Sequence, residues 1–310
     1  MDVSSGVSIT LKARLKKGRA FLVGKTMKAN ISDIIRLLED IAPSRLAEDW
    51  DNVGLQLGKR DWPVRTVWVA LDPLPEVVMA ACREKVDLLI THHPLIFRPI
   101  KNLDFDTPMG AILKRATENR LGVVSAHTNL DIAVEGINDV LASKIGLKNV
   151  KVLGDEIKIL PSDGLDYQVN PLIPVHSGLG LGRIGELEDP LNLGALAISV
   201  KEKLGLSHAK VAGPLDLIVS KAAVCSGSGS GLLGHFFSSD AQAYISGDLR
   251  YHDARDAEAQ NCGLIDIGHF ASEQIILEVL TEQLQVRSTQ AGMDVTIKVC
   301  RLEKDPFMII

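Results

Sequence analysis

Val86-Asp87-Leu88-Leu89-Ile90-Thr91-His92-His93-Pro94 is a short apolar run that ends on two adjacent histidines. Its length and composition predict a buried strand of a parallel sheet. Thr66–Leu71 upstream and Leu121–Ala126 downstream have the same β-branched, apolar character. Helical stretches separate the three: Pro75–Lys85, then Pro108 to about Arg120, with Thr107 placed to cap the second. Ahead of them, Asn30 or Ser32 caps a helix whose Ile31, Ile34, Ile35, Leu38 and Ile41 share one face, and Pro43 stops it. Val134–Ile145 reads as a further helix. Strand-helix-strand alternation of this kind predicts parallel sheet covered by helices.

The pattern returns after residue 205. Strands are expected at Ile218–Cys225, Ala241–Ser246, Leu264–Ile267 and Val295–Cys300. A Gly/Ser loop, Ser226–Gly231, is expected to open a helix through Phe237, and further helices are expected at Asp253–Gln260 and Phe270–Gln285. Strand-to-strand spacing is similar in both halves: Leu71 to Thr91 is 20 residues and Cys225 to Gly247 is 22. The halves therefore read as a diverged internal repeat. The expected organisation is a leader (1–26), a first α/β lobe (27–150), a connector (151–205) with a helix near Leu191–Leu204, and a second α/β lobe (206–310). The fold class is α/β: two related three-layer lobes with mostly parallel sheets.

A chain of 310 residues, 46% of them apolar, can bury two such cores without disulfides. The net charge of −5 argues against a protein that coats nucleic acid or anionic membrane. Aromatic residues are too scarce, at 4%, for a base-stacking platform. No apolar run approaches the ~18 residues of a membrane span. Cys82, Cys225, Cys262 and Cys300 form no CxxC pair and read as reduced thiols, which points to the cytoplasm. Residues 1–28 hold seven Lys/Arg against one acid, Asp2, a net charge of +6. That leader reads as an unstructured tail, an over-extended start ahead of Met27, or an organelle transit segment.

Metal-type side chains gather at the carboxyl ends of the expected strands. His92 and His93 follow the strand ending at Thr91. Asp131 follows the strand ending at Ala126, within His127-Thr128-Asn129-Leu130-Asp131. His269 follows the strand ending at Ile267, and Glu273 lies one helical turn on. Open α/β sheets bind ligands in crevices beyond their strand ends. Adjacent histidines point to opposite sides of a strand, but beyond its end they can diverge and serve two ions. Three imidazoles and two carboxylates suit a pair of borderline divalent metals: Zn, Mn or Fe. Taken singly, Asp131 could cap a helix and Glu273 could be a first-turn carboxylate. His176, His208 and His235 have no acidic partner in a matching place and read as structural.

Further residues carry two readings each. His127 is a general acid, a donor to a ligand carboxylate, or a satisfied loop histidine. Tyr251 and His252 follow a second-half strand where the first half has His92 and His93; they bind substrate or assist catalysis, or merely begin a helix. Asp51 and Asn52 lie in a polar turn, as substrate contacts or as Asx-turn residues. Gly229-Ser230-Gly231-Leu232-Leu233-Gly234 spells GxGxxG, with Asp248 near the spacing of a ribose-binding acid. That loop reads as a dinucleotide or anion cradle, or as glycine packing at a tight turn.

Five phrases, in order, carry a family likeness: Glu48-Asp49-Trp50-Asp51-Asn52-Val53-Gly54-Leu55, Thr91-His92-His93-Pro94-Leu95-Ile96-Phe97, His127-Thr128-Asn129-Leu130-Asp131, Gly247-Asp248 through His252, and Gly268-His269-Phe270 through Glu273. Across residues 27–310 the chain resembles the Ngg-interacting-factor-three-like family, whose members are often labelled GTP cyclohydrolase 1 type 2 homologues. The resemblance implies two related lobes with a dinuclear metal centre between them and a toroidal homohexamer. It implies His92, His93, Asp131, His269 and Glu273 as metal ligands. It also implies a compact form, because residues 151–205 have no room for the domain of about a hundred residues that some bacterial relatives insert.

The leading expectation is a cytoplasmic metal-dependent hydrolase acting on a nucleotide-like or phosphorylated small molecule, with His127 or His252 protonating the leaving group and Asp51 and Tyr251 meeting the substrate. The family label implies opening of the guanine imidazole ring, but phosphoester cleavage could use the same activated water. The alternative is a metal-binding adaptor or metal-delivery protein without turnover. A nucleotide-binding regulator using the Ser226–Gly231 loop is a third reading.

Overall fold

The protein is described by a computed structural model covering residues 27–157 and 178–310. The leader, His176 and residues 158–177 of the connector lie outside the described residues.

The strands are β1 (Ala29–Asn30), β2 (Gly54–Leu57), β3 (Pro63–Val64), β4 (Thr66–Ala70), β5 (Leu88–Thr91), β6 (Gly122–Ser125), β7 (Lys148–Val152), β8 (Arg183–Asn192), β9 (Lys210–Ala212), β10 (Ile218–Ser228), β11 (Ala243–Gly247), β12 (Gly263–Asp266) and β13 (Thr296–Val299). A five-stranded sheet has the order β13-β4-β5-β6-β2, and a six-stranded sheet the order β7-β8-β10-β11-β12-β9. Strands β1 and β3 form a small antiparallel pair.

Each large sheet contains a parallel triple of the same order, β4-β5-β6 and β10-β11-β12. These are the three-strand units whose spacing repeats in the sequence. Around the triples the sheets differ. The five-stranded sheet is parallel except at β2. In the six-stranded sheet, β7, β8 and β9 are all antiparallel to their neighbours, so the expectation of mostly parallel pairing does not extend to it.

Alternating strand residues face opposite ways, which places a different core on each side of each sheet. Val67, Val69, Leu88, Ile90 and Val124 share one buried cluster with Ala222, Val224, Ala243, Ile245 and Ile265 of the other sheet. Helices Ile31–Glu39, Ile137–Ile145, Leu193–Leu204 and Ile276–Gln290 add Ile34, Leu141, Val200 and Leu280 to that cluster, forming an inner helical layer common to both sheets. On the outer face of the five-stranded sheet, Ala70, Leu89 and Val123 pack on helices Pro75–Arg83 and Pro108–Glu118. On the outer face of the six-stranded sheet, Ala223, Tyr244 and Leu264 pack on helices Leu233–Phe237 and Tyr251–Ala259.

Several local signals act as their chemistry requires. Asn30 caps helix Ile31–Glu39 in a reciprocal capping box with Asp33. Thr107 caps the helix that Pro108 opens. Other expectations need correction. The last strand, β13, pairs with β4 and so belongs to the first sheet, not with the second half of the chain. The connector contains β8, a ten-residue strand between β7 and β10. Its Glu186-Leu187-Glu188-Asp189-Pro190 reads as loop because its outer half is exposed and needs no apolar alternation. The expected loop Ser226–Gly231 is divided between the end of β10, which runs to Ser228, and a 3-10 turn, Gly229–Leu232, after which helix Leu233–Phe237 ends where expected. The segment expected as one helix, Phe270–Gln285, is two: His269–Glu273 and Ile276–Gln290.

Arg183, at the start of β8, is fully buried. Its Nε donates to Asp139 of helix Ile137–Ile145, and its terminal nitrogens donate to the carbonyls of Gly180, Gly182 and Ala133. A guanidinium satisfied on this many sides is a buried charge that holds its surroundings in one arrangement.

Candidate metal centre

Where β5 ends, the chain keeps its contact with β4. His92 N–H donates to Ala70 O and His93 N–H to Leu71 O. The Thr91 hydroxyl donates to His93 O, and the Ser125 hydroxyl to His92 O. The two histidine backbones are therefore held while their rings diverge. After β6, His127 precedes the short helix Thr128–Ile132, which carries Asp131. After β12, Gly268 turns the chain with φ +83° into helix His269–Glu273. His127 and Asp131 thus stand after β6 as His269 and Glu273 stand after β12, four residues apart in each case.

Four imidazoles point the same way for one reason. His92 Nδ1 donates to Ala126 O at 3.0 Å, His93 Nδ1 to Asp72 at 2.9 Å, His127 Nδ1 to Asp51 at 2.9 Å and His269 Nδ1 to Asp248 at 2.7 Å. A carbonyl or an ionised carboxylate can only accept, so each Nδ1 carries the proton and each neutral ring presents a lone pair at Nε2.

Glu273 sits where those lone pairs converge. Its Oε1 is 3.5 Å from His92 Nε2, and its Oε2 is 3.2 Å from His93 Nε2 and 3.1 Å from His269 Nε2. Asp131 Oδ1 lies 3.8 Å from His92 Nε2. These are ion-pair distances without hydrogen-bond geometry, and His92 Nε2 and Glu273 Oε2 are both buried with no hydrogen-bond partner among the described residues. Buried polar atoms left in this state are costly, and a shared cation would satisfy both. The ligand atoms of His92, His93 and His127 lie within 4.8 Å of one another, as do those of His93, His269 and Glu273. Imidazole and carboxylate donors with outer carboxylates holding the rings fit a borderline divalent metal.

Two glycines make room for this geometry. A Cβ on Gly227, whose φ is +61°, would stand 2.3 Å from Glu273 Oε1. One on Gly247 would stand 2.6 Å from the main-chain nitrogen of His269.

The charges respond to each other. Burial alone favours a neutral His93, but the Asp72 and Glu273 carboxylates outweigh it and push the imidazole up to about 10. Glu273 does most to raise His269 to about 9, against burial and with help from Asp248. Burial also opposes charge on His92, and Glu273 with Asp131 reverses that, raising it. Glu273 is buried too, yet His92, His269 and His93 hold it far below the usual carboxylate range. Asp131 moves the other way, raised by burial and by the neighbouring Glu273 despite His92. Burial would raise Asp51 as well, but His127 and Thr128 bring it down well below that range.

The structure brings His92, His93, Asp131, His269 and Glu273 together, with His127 beside them. It places other expected site residues elsewhere. The Asp51 side chain is fully buried and engaged by His127, by Thr128 N–H at 3.0 Å and by the Thr128 hydroxyl at 2.5 Å. It orients His127 rather than facing a substrate. Tyr251 is 72% exposed and its ring meets His252, at the start of helix Tyr251–Ala259. Neither lines the cavity of about 870 Å³ that opens over His93 and His269. In the Gly229–Gly234 loop, packing accounts for Gly229, where a Cβ would stand 2.1 Å from Ser246 Oγ, but not for Gly231 or Gly234, which have nothing within 4 Å. The Asp253 carboxylate accepts from the Ser230 hydroxyl there, and Asp248 is committed to His269. An acid over the loop opposes a phosphate. Asp72 and Asp248 are functional positions the sequence reading did not assign as ring anchors. Both stand at carboxyl ends of parallel strands, the placement that singled out the histidines.

Fold and site together define an α/β protein with a carboxylate-anchored histidine cluster at its strand ends. Residues 29–306 match the family described as Duf34/NIF3 (NGG1p interacting factor 3), and the chain belongs to that family. It is similar to a Clostridium perfringens protein named GTP cyclohydrolase 1 type 2 homolog, at 33% identity over 280 residues, covering 90% of this chain and 99% of that protein. A crystal structure of a Bacillus cereus protein related to NIF3 superposes with a TM-score of 0.82 at 28% identity, over 92% of this chain and all of that one. Reduced HcgD from Methanocaldococcus jannaschii superposes with a TM-score of 0.71 at 30% identity, over 90% of this chain and all of that one.

Proposed function

We propose that this chain holds a pair of divalent metal ions and hydrolyses a small nucleotide-like or phosphorylated compound. The observation that carries the reading is the set of four imidazoles, each with Nδ1–H committed to an acceptor, of which His92, His93 and His269 turn Nε2 toward Glu273, with Asp131 beside His92. His92 and Asp131 would serve one ion, His93 and His269 the other, with Glu273 between them. When bound, such ions supply Lewis acidity and acidify water.

The chain's own residues then have separate tasks. Asp72, Asp248 and Asp51 fix the tautomers of His93, His269 and His127. His127 Nε2 is the site at which a proton is taken or returned, because Nδ1 is held by Asp51. The cavity over His93 and His269 is lined by Leu71, Leu74, Phe270 and Phe307, by His208, Lys210 and Lys304, and by the carboxylates of Asp72, Asp248, Asp266, Glu273, Glu303 and Asp305. Apolar walls with a few polar groups suit a small molecule, and with this many acids in the lining an anionic group on it would have to be met by the bound ions. No helix among the described residues is long and apolar enough to cross a membrane. The same reading includes a homohexamer, which sedimentation velocity tests.

The deciding experiment is a screen of metal-reconstituted protein against metabolite extracts, read by mass spectrometry, with His93→Ala as the control. A compound consumed by wild type and spared by the variant supports hydrolysis. Tight, stoichiometric metal with no compound consumed moves the assignment to a metal-delivery protein.

A further inference from the structure

The C-terminal segment reaches the site from the far end of the chain. Strand β13 lies beside β4, and Cys300 N–H donates to Val69 O, extending that pairing by one residue. Beyond it the chain has no regular secondary structure, and residues 301–310 are exposed except for Glu303, which is half-buried. The Glu303 carboxylate accepts two main-chain hydrogen bonds, from Leu71 N–H at 2.9 Å and from Asp72 N–H at 2.6 Å. These amides lie just past the end of β4, where no strand partner remains for them. Charge-assisted bonds of this kind are among the stronger hydrogen bonds in proteins.

The peptide that Glu303 holds is the one that holds His93. Leu71 O accepts from His93 N–H at 2.8 Å, and Asp72 Oδ1 accepts from His93 Nδ1–H at 2.9 Å. The same segment then crosses toward the second sheet. Asp305 Oδ2 lies 3.8 Å from where a Cβ on Gly268 would stand, immediately before His269. Glu303, Asp305 and Phe307 line the cavity with His93 and His269.

We infer that Glu303 is a positioning residue for the metal centre: its carboxylate fixes the Leu71-Asp72 peptide, and through Asp72 it sets the orientation in which His93 presents Nε2. This rests on the metal-binding reading above and adds a group that touches neither the ions nor the ligand rings.

The test uses the full chain and Co²⁺, with affinity measured by chelator competition and the ligand field read from the visible spectrum. Loss of an outer partner of a metal-ligating histidine typically costs about 10–100-fold in affinity. Glu303→Ala should fall in that range, and Glu303→Gln, which keeps one carbonyl acceptor, should lose less. Asp72→Asn should lose as much as Glu303→Ala, and the double variant no more than Asp72→Asn alone, because the two act in series. In the metal-free protein, amide exchange at Leu71 and Asp72 should quicken in Glu303→Ala. A purely structural role would lower the melting temperature and leave affinity and spectrum unchanged, and that result overturns the inference. So do additive losses, or unchanged exchange at the two amides. If Glu303→Ala does not fold, the Glu303→Gln comparison decides by the same criteria. Wild type that takes up no ion, with His93→Ala indistinguishable from it, overturns the metal reading itself, while the exchange data still report whether the clamp exists.

Discussion

Nε2 of His93 and Nε2 of His269 lie 3.4 Å apart, although 176 positions separate the two residues in the chain. Each ring gives its Nδ1–H to its own aspartate, so in the neutral state two lone pairs face each other. Both nitrogens also face Glu273 Oε2, at 3.2 and 3.1 Å, so protons on the rings, or a cation in their place, are met by that carboxylate.

That relationship fixes a pH dependence. Folding raises His93 to about 10 and His269 to about 9. An unperturbed histidine titrates near ~6.5, so the folded chain binds extra protons above that pH. The stability these groups add is fully present below about pH 6.5 and is lost as pH rises through 9 and 10. The melting temperature of chelator-treated protein should therefore fall across this interval, and fall less in Glu273→Ala. Metal affinity should rise over the same interval as protons leave the site. A chelated wild type whose melting temperature does not change from pH 6.5 to 10 would contradict the assignment.

Glu273 faces three imidazoles, so its removal should reach both proposed ion positions. Elemental analysis of wild type is expected to show about two ions per chain. Glu273→Ala should lose both, His93→Ala chiefly one, with circular dichroism unchanged in each. Equal metal content in all three proteins would remove the centre.

Asp248 and Asp51 anchor His269 and His127 at 2.7 and 2.9 Å. Asp248→Asn should keep the fold and weaken metal by roughly 10–100-fold, the usual cost of an outer partner. Asp51→Asn should reduce turnover on any substrate the screen finds more than it reduces metal binding, since His127 is assigned the proton. Competition titrations and kcat measured together separate the two effects.

Gly227 combines a left-handed φ of +61° with a Cβ position 2.3 Å from Glu273 Oε1. Gly227→Ala should cost about 1–2 kcal/mol from backbone strain alone. It should also displace Glu273 and lower metal content. Gly205, likewise left-handed but with nothing within 4 Å, is the control: Gly205→Ala should show the strain and keep the metal.

Arg183 and Asp139 form a fully buried pair. Removing one partner of such a pair typically costs about 3–5 kcal/mol. Arg183→Ala should destabilise the chain on that scale in urea denaturation. A loss below ~1 kcal/mol would mean that water replaces the guanidinium.

The repeating strand-helix units, the caps at Asn30 and Thr107 and the histidines at strand ends are all legible in the linear chain, because each depends on local periodicity and neighbouring residue types. His269 and Glu273 could be paired in advance because one helical turn links them. Strand β8 could not, because its exposed outer half, Glu188 to Pro190, carries no apolar alternation to betray it. The place of β13 beside β4 was equally hidden, since hydrogen-bonded neighbours in a sheet share no sequence signal across more than two hundred residues.

Amino-acid order by itself determined that imidazole and carboxylate side chains sit at strand ends, because strand and helix periods are short-range properties. Tertiary structure alone decided that Asp72, Asp248 and Asp51 turn the rings, that Gly227 leaves space for Glu273 and Gly247 for the His269 main chain, and that Glu303 reaches back to Asp72. Those relations are contacts between distant segments, and such contacts exist only after the two sheets close on their common inner helices.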